Sequence, residues 1–273
     1  MVKQVAGKRV ALRLILAGFL VVNVAQQAVA KNKAEPLLSV GSIFESEMPD
    51  FGSITDVKAK KEAFFSYLKP IVDAENQKVA QDRKQLMAIS GASQVSASDQ
   101  EWLESMAKKY KLPLSKSFDK AWLTALSERV DTLPVSLALA QAANESAWGT
   151  SRFARQGNNL FGQWCFSKGC GLVPKQRNKG AEHEVRKFAS VSGSVGAYLL
   201  NINTNAQYAE LRHLRVKARR DGKSITGSYL SPGLQRYSQR GDAYVNELVA
   251  MISVNGLEKY DVSENSSSRH DAS

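Results

Sequence analysis

The chain has 273 residues, 43% of them hydrophobic and 23% charged. That balance excludes a disordered or fibrous polymer and allows one substantial domain with an accessory segment. A net charge of +11 favours anionic partners without choosing among nucleic acid, a membrane surface and an anionic polymer.

Residues 1–30 have the form of a secretory signal. Lys3, Lys8, Arg9 and Arg13 precede the apolar run Leu14–Val22, and Ala28-Val29-Ala30 fits a small-x-small cleavage site. The run is too short for a spanning helix, which needs about 20 residues; an uncleaved anchor is the alternative. No other stretch could span a membrane. The mature chain is expected outside the cytoplasm, starting near Lys31. Residues 31 to about 55 hold Pro36, Gly41, Pro49 and Gly52 and lack helical period, so they read as a linker.

Helical period begins at Asp56, with Phe64, Tyr67, Leu68, Ile71, Val72, Val79 and Leu86 at threes and fours. Pro70 is expected to kink or split this helix. Its single apolar stripe predicts packing against a neighbouring domain. Small polar residues from Gly91 to Ser98 mark a break. Ser98-Asp99-Gln100-Glu101 reads as a capping box before Trp102, Leu103, Met106 and Tyr110. The division is therefore 31–96 for an N-terminal helical extension and 97–257 for the core domain. A further helix spans Phe118 to Val130.

Leu133–Gly149 reads as the central helix. Pro134 suits its first turn and Gly149 its end. The run between them is almost continuously apolar, so most faces should be buried. Into it is set one carboxylate, Glu145, with Trp148 one turn on. Burial and the negative end of a helix both raise a carboxyl pKa. A glutamic acid that keeps its proton near neutral pH can protonate a leaving glycosidic oxygen.

The segment Gly157 to Cys165 is rich in Gly, Asn and aromatics, which suits turns and stacking on sugar faces. Leu172–Gln176 and Glu182–Phe188 read as two strands around the turn Arg177-Asn178-Lys179-Gly180. Cys165 and Cys170 could close a small disulfide loop in an oxidising compartment. The cysteines and the histidines His183, His213 and His270 lack metal-ligand spacing, so no metal is expected. Helices follow over 192–203 and 206–220. The second carries Arg212, Arg215, Lys217, Arg219 and Arg220, either a grip on an anionic polymer or the ordinary bias of a helix C-terminus. A last helix holds Tyr244, Val245, Leu248 and Ile252. The Ser- and Asn-rich tail 258–273 is expected to be disordered.

Ala143-Asn144-Glu145-Ser146-Ala147-Trp148-Gly149, followed by Asn159-Leu160-Phe161-Gly162, resembles glycoside hydrolase family 73. These are bacterial endo-β-N-acetylglucosaminidases, including the flagellar peptidoglycan hydrolase domain. The resemblance covers roughly 97–257. It implies a mainly α, lysozyme-like fold with a small β-hairpin lobe, which the N-terminal helix would extend. It implies peptidoglycan glycan strands as substrate, a periplasmic location, no cofactor, and Glu145 as general acid. It also implies a catalytic aromatic in a Tyr-x6-Tyr context, which Tyr237 and Tyr244 match, Tyr237 at the catalytic position. Trp148, Asn159, Leu160, Phe161, Gly162, Trp164 and Tyr244 would line the glycan site. Family members often carry a second carboxylate on the first hairpin strand, and this chain has none there. Glu182 or Glu184 on the second strand could stand in, or the substrate's 2-acetamido group could act instead. The rival readings are a muramidase or lytic transglycosylase, and a catalytically weak glycan-binding scaffold. Nucleic acid is not an expected partner, and the oligomeric state is open.

Overall fold

The fold is that of a computed structural model, which describes residues 47–261 apart from 116, 176, 178 and 179. The predicted signal, residues 31–46 of the predicted linker, and residues 262–273 of the predicted tail lie outside the described residues. So do Gln176 of the first predicted strand and Asn178 and Lys179 of the turn.

Helix α1, Val57–Gly91, starts at Asp56, whose side chain accepts from the Ala59 amide. It runs through Pro70 as one helix, so of the two expected outcomes the split does not occur. An interior proline costs about 3 kcal/mol. Here Phe64, Phe65 and Leu68 before it and Ile71, Val72 and Val79 after it enter one hydrophobic core. Packing on both sides outweighs the lost bond. The carbonyl deprived of its partner belongs to Ser66, which is exposed. That core also holds the central helix, so α1 is built into the same body as the segment predicted to start at residue 97.

Helix α2, Ala97–Lys109, is capped by Ser96 and Asp99 rather than by Ser98 and Glu101. Ser96 Oγ accepts from the Asp99 amide and the Asp99 carboxylate from the Ser96 amide. Helix α3, Lys120–Arg129, then closes a second cluster. Leu86 and Ile89 of α1, Leu103 and Met106 of α2, and Leu123 and Leu126 of α3 pack there.

Helix α4, Val135–Ser146, is the centre: every residue from Val135 to Ala143 is buried. Its alanines let neighbouring helices approach. Its N-terminus has no side-chain cap from Pro134. Asp261 reaches it from the other end of the chain, accepting from the Ser136 amide at 2.9 Å, from Ser136 Oγ at 2.6 Å and from the Gly227 amide at 2.9 Å. Residues 258–261, predicted as tail, are thus part of the fold. Gly227 permits this closure: a Cβ there would stand 2.2 Å from Ser136 Oγ and 2.8 Å from the Leu137 nitrogen. Gly227→Ala is expected to cost about 1–3 kcal/mol of stability through overpacking, as read by urea unfolding.

After α5, Arg152–Gly157, come three short antiparallel strands. They are β1, Trp164–Cys165; β2, Gly171–Leu172; and β3, Glu184–Arg186, in the order β1-β3-β2. The predicted two-stranded hairpin gains β1, and the other strands are shorter than predicted. Strands of two or three residues are too short to show alternation. A Cys165–Cys170 disulfide links β1 to the residue before β2.

Helix α6 spans Val191–Thr204, α7 Ala209–Arg220, α8 Gly227–Leu230 and α9 Asp242–Val254. The basic run of α7 divides. Arg212 and Arg215 are buried, and Arg215 is fully so. Arg215 Nη1 and Nη2 donate to the carbonyls of Thr132 and Glu128 at 2.9 and 3.0 Å, and Nη2 also to Asn203 Oδ1 at 2.9 Å. These two arginines are structural and grip no polymer. The described chain is mainly α with a small β lobe, and no described helix is long and apolar enough to cross a membrane.

Candidate active site

Glu145 lies in the last turn of α4, half-buried although most of its helix is wholly buried. Ala147, Trp148 and Gly149 follow with φ of 49°, 59° and 76°. Left-handed backbone is costly for Ala and Trp, and local bonds hold it. Ser146 Oγ donates to the Ala142 carbonyl at 2.6 Å and accepts from the Gly149 amide at 2.8 Å. A Cβ on Gly149 would fall 2.6 Å from the Phe51 ring, so this position also needs glycine for space. The turn delivers the Trp148 ring to α1, edge-on to Phe64 and Phe65 at 5.8 and 5.3 Å. Trp148, predicted to line the glycan site, is half-buried and packs on α1.

Burial pushes the Glu145 carboxyl above its ordinary range, and the opposing pull of the Tyr244 hydroxyl and of Arg240 does not cancel it. Tyr244 on α9 donates to Glu145 Oε1 at 2.9 Å and accepts from Gln141 Nε2 at 3.0 Å. Tyr244 is buried, so it holds the acid and offers no surface to a substrate. Tyr237 stacks on it, centroids 5.5 Å apart and planes 4° apart. The half-buried Tyr237 gives its hydroxyl hydrogen to the Phe161 carbonyl at 2.9 Å. Burial, with Tyr244 and Glu145 nearby, raises the Tyr237 phenol far above its usual range. Tyr237 is thus a neutral wall beside the acid, and Tyr244 is the tyrosine that touches it.

The Asn159-Leu160-Phe161-Gly162 motif is mostly scaffold. Asn159 is buried; its amide donates to the carbonyls of Gln163 and Arg186 at 2.9 and 2.8 Å, and its oxygen accepts from the amides of Phe161 and Gln163. Leu160 is in the core, and Phe161 stacks on Tyr198 with centroids 4.0 Å apart. Only Gly162 is exposed. It has φ 66°, and a Cβ there would lie 4.0 Å from Glu145 Oε2. The motif therefore ties the β lobe to the helices and sets a bare backbone beside the acid. Asn159→Ala should cost about 1–3 kcal/mol, the price of orphaned backbone groups, seen as a lower urea midpoint.

The candidate second carboxylates divide. Both oxygens of Glu184 are engaged, accepting from the amides of Gly169 and Gly171 at 3.0 and 2.8 Å. Those bonds hold it below the usual carboxylate range, so it braces the disulfide loop. Glu182 is exposed. Trp164 is 58% exposed, its ring stacked on His183 at 4.0 Å, an open flat face on the β lobe.

Two site residues went unread in the sequence, Gln141 and Tyr198. Gln141 sits four residues before Glu145 and so on the same helix face; that spacing was the available signal. For Tyr198, on a separate helix, sequence offers no signal.

A family model described as mannosyl-glycoprotein endo-beta-N-acetylglucosaminidase, a glucosaminidase, matches residues 120–257. The chain is 33% identical over 217 residues to "Protein bax" of Escherichia coli (strain K12), covering 80% of this chain and 77% of that protein. No solved structure matches.

Proposed function

Since the chain belongs to the glucosaminidase family, we propose that it is a periplasmic peptidoglycan hydrolase that cleaves the β-1,4 bond following N-acetylglucosamine. The observation that carries this reading is Glu145: a half-buried carboxyl, raised in pKa by burial and held by Tyr244, beside the exposed backbone of Gly162. Family membership supports a glycosidase acting on glycan; the linkage, the roles of residues and the compartment are the proposal.

In this mechanism Glu145 gives its proton to the leaving glycosidic oxygen as the bond from C1 breaks. With Glu184 spent on Gly169 and Gly171, the substrate's acetamido oxygen attacks C1; water then opens the cyclic intermediate, giving its proton to the Glu145 carboxylate and restoring the acid. The phenol of Tyr237 lies along the site as a neutral face near developing positive charge. Trp164 offers a flat surface for a sugar ring. The basic surface favours the anionic, peptide-bearing polymer.

The commitment of Glu184 to the loop also favours a second reading, a glycan-binding protein with little activity. One experiment separates these. The mature chain is incubated with purified sacculi, and the fragments are reduced with borohydride and analysed by mass spectrometry. Reduced N-acetylglucosamine ends are expected. Reduced or anhydro muramic ends would move the assignment to a muramidase or transglycosylase. Binding without fragments would support the second reading.

A further inference from the structure

The hydrogen bonds behind Glu145 run in one direction. Buried Tyr198 donates to Gln141 Oε1 at 2.5 Å, Gln141 Nε2 donates to the Tyr244 hydroxyl at 3.0 Å, and Tyr244 donates to Glu145 Oε1 at 2.9 Å. Gln141 and Tyr198 are almost wholly buried, so each polar atom needs a partner. Turning the Gln141 amide over would face its NH2 group to Tyr198 and take away the acceptor of that hydroxyl. Tyr198 therefore fixes the amide. The amide donates onto the Tyr244 oxygen, and Tyr244 keeps its own hydrogen for Glu145. Oε1 is then an acceptor whether or not Glu145 is protonated. The other oxygen, Oε2, lies toward exposed Gly162.

We propose that Gln141, locked by Tyr198, is a positioning residue that keeps the acid proton of Glu145 on Oε2, the oxygen turned toward the open side of the site. This rests on the reading of Glu145 as general acid. On proton delivery the Oε2–H bond breaks and its electron pair stays on the carboxylate. The proton joins the glycosidic oxygen as the C1–O bond breaks, and Tyr244 already holds Oε1 for the charge that appears.

The titratable and charged groups around Glu145 are Tyr244 and Glu247 on α9, Arg240 and Tyr237 before it, Tyr198 on α6, and Tyr208 between α6 and α7. Gln141 is neutral. Replacing it leaves all of these charges in place, so any change in the titration of Glu145 comes through the hydrogen-bond chain.

The test uses the full mature chain with Gln141→Met, Tyr198→Phe, Tyr244→Phe and the Tyr198→Phe/Tyr244→Phe double variant. The first readout is carbon-13 NMR of the Glu145 side-chain carboxyl, assigned by its loss in Glu145→Gln. Each variant weakens or removes the donor that favours the carboxylate, so the titration midpoint should rise. The second readout is hydrolysis of sacculi. We expect kcat to fall about tenfold in Gln141→Met with KM nearly unchanged. The double variant should be no worse than Tyr244→Phe alone, because Tyr198 acts only through Tyr244. Unmoved midpoints in Gln141→Met and Tyr198→Phe, or additive losses in the double variant, would overturn the proposal. Should Gln141→Met fail to fold, Tyr198→Phe keeps its ring against Phe161 and carries the same comparison. If the midpoints move while the wild type releases no fragments, the hydrogen-bond chain stands and only the hydrolase reading falls.

Discussion

Fragment release from sacculi should fall about 10³-fold in Glu145→Gln, within the range of a lost general acid, while the thermal midpoint holds or rises. The amide is isosteric and its oxygen still accepts from Tyr244, so the site keeps its shape. The stability half follows from the sign of the pKa shift. Glu145 is raised in the folded state. Between its unfolded and folded values the native protein holds more protons, so stability falls as pH rises through that window. The raised pKa therefore opposes folding once the pH is above the unfolded value, and glutamine removes that penalty. The same shift sets the pH dependence of the wild type. Activity should decline on the alkaline side as Glu145 loses its proton, at a pH above the ordinary glutamate range. Two assays are needed, reducing-end release against pH and thermal unfolding of both proteins. Activity within a few-fold of wild type would remove Glu145 from the acid role. A large drop in midpoint would make the loss of activity a folding effect.

Glu145 was legible because two local facts met at one place: an apolar run long enough to bury a helix, and a single carboxylate near its end. The resemblance added Tyr237 and Tyr244, and both stand at the acid. Their order relative to Glu145 was not legible. It depends on how α9 crosses α4, a contact 99 residues apart in sequence. The direction of the Trp148 ring was not legible for a different reason. A helical spacing puts it on the face of Glu145, but left-handed backbone at Ala147 and Trp148 ends the helix before the spacing applies. Asn159 was placed at the glycan site by the resemblance of its motif, while its residue type alone suited a turn. Four bonds to its own loop and to Arg186 decide for the turn. That the helix would continue through Pro70 was not legible, because local preference carries no knowledge of the core on either side.

The basic run of α7 hid a fully buried charge, Arg215. Arg215 was ambiguous in sequence because its partner, Asp131, lies 84 residues away. In the fold Asp131 is buried, with Arg215 Nε at 3.3 Å, Arg219 Nη2 at 2.7 Å and Arg83 Nη1 at 3.5 Å. One carboxylate thus ties α1, the segment before α4, and α7. Asp131→Ala should destabilise the protein by about 3–5 kcal/mol, because the guanidinium of Arg215 is then left buried without its counter-charge. That is a large share of the roughly 5–15 kcal/mol that holds a domain folded. Burial alone would raise the Asp131 carboxyl; the three arginines outweigh it and hold it below its usual value. For a depressed acid the linked stability is present above the unfolded pKa and lost as pH falls through the folded one. The wild type should therefore lose stability in acid, and Asp131→Asn should flatten that dependence. Burial likewise brings the Arg215 guanidinium down to about 10, with Asp131 opposing it. Pairing Asp131→Ala with Arg215→Met should recover part of the loss, since the orphaned charge goes too. Urea unfolding of the wild type, Asp131→Ala, Asp131→Asn, Arg215→Met and the double variant at neutral pH and near the acid limit reads all of this. A single-variant cost below about 1 kcal/mol, typical of an exposed pair, or strict additivity in the double variant would show that the cluster does not hold the helices together.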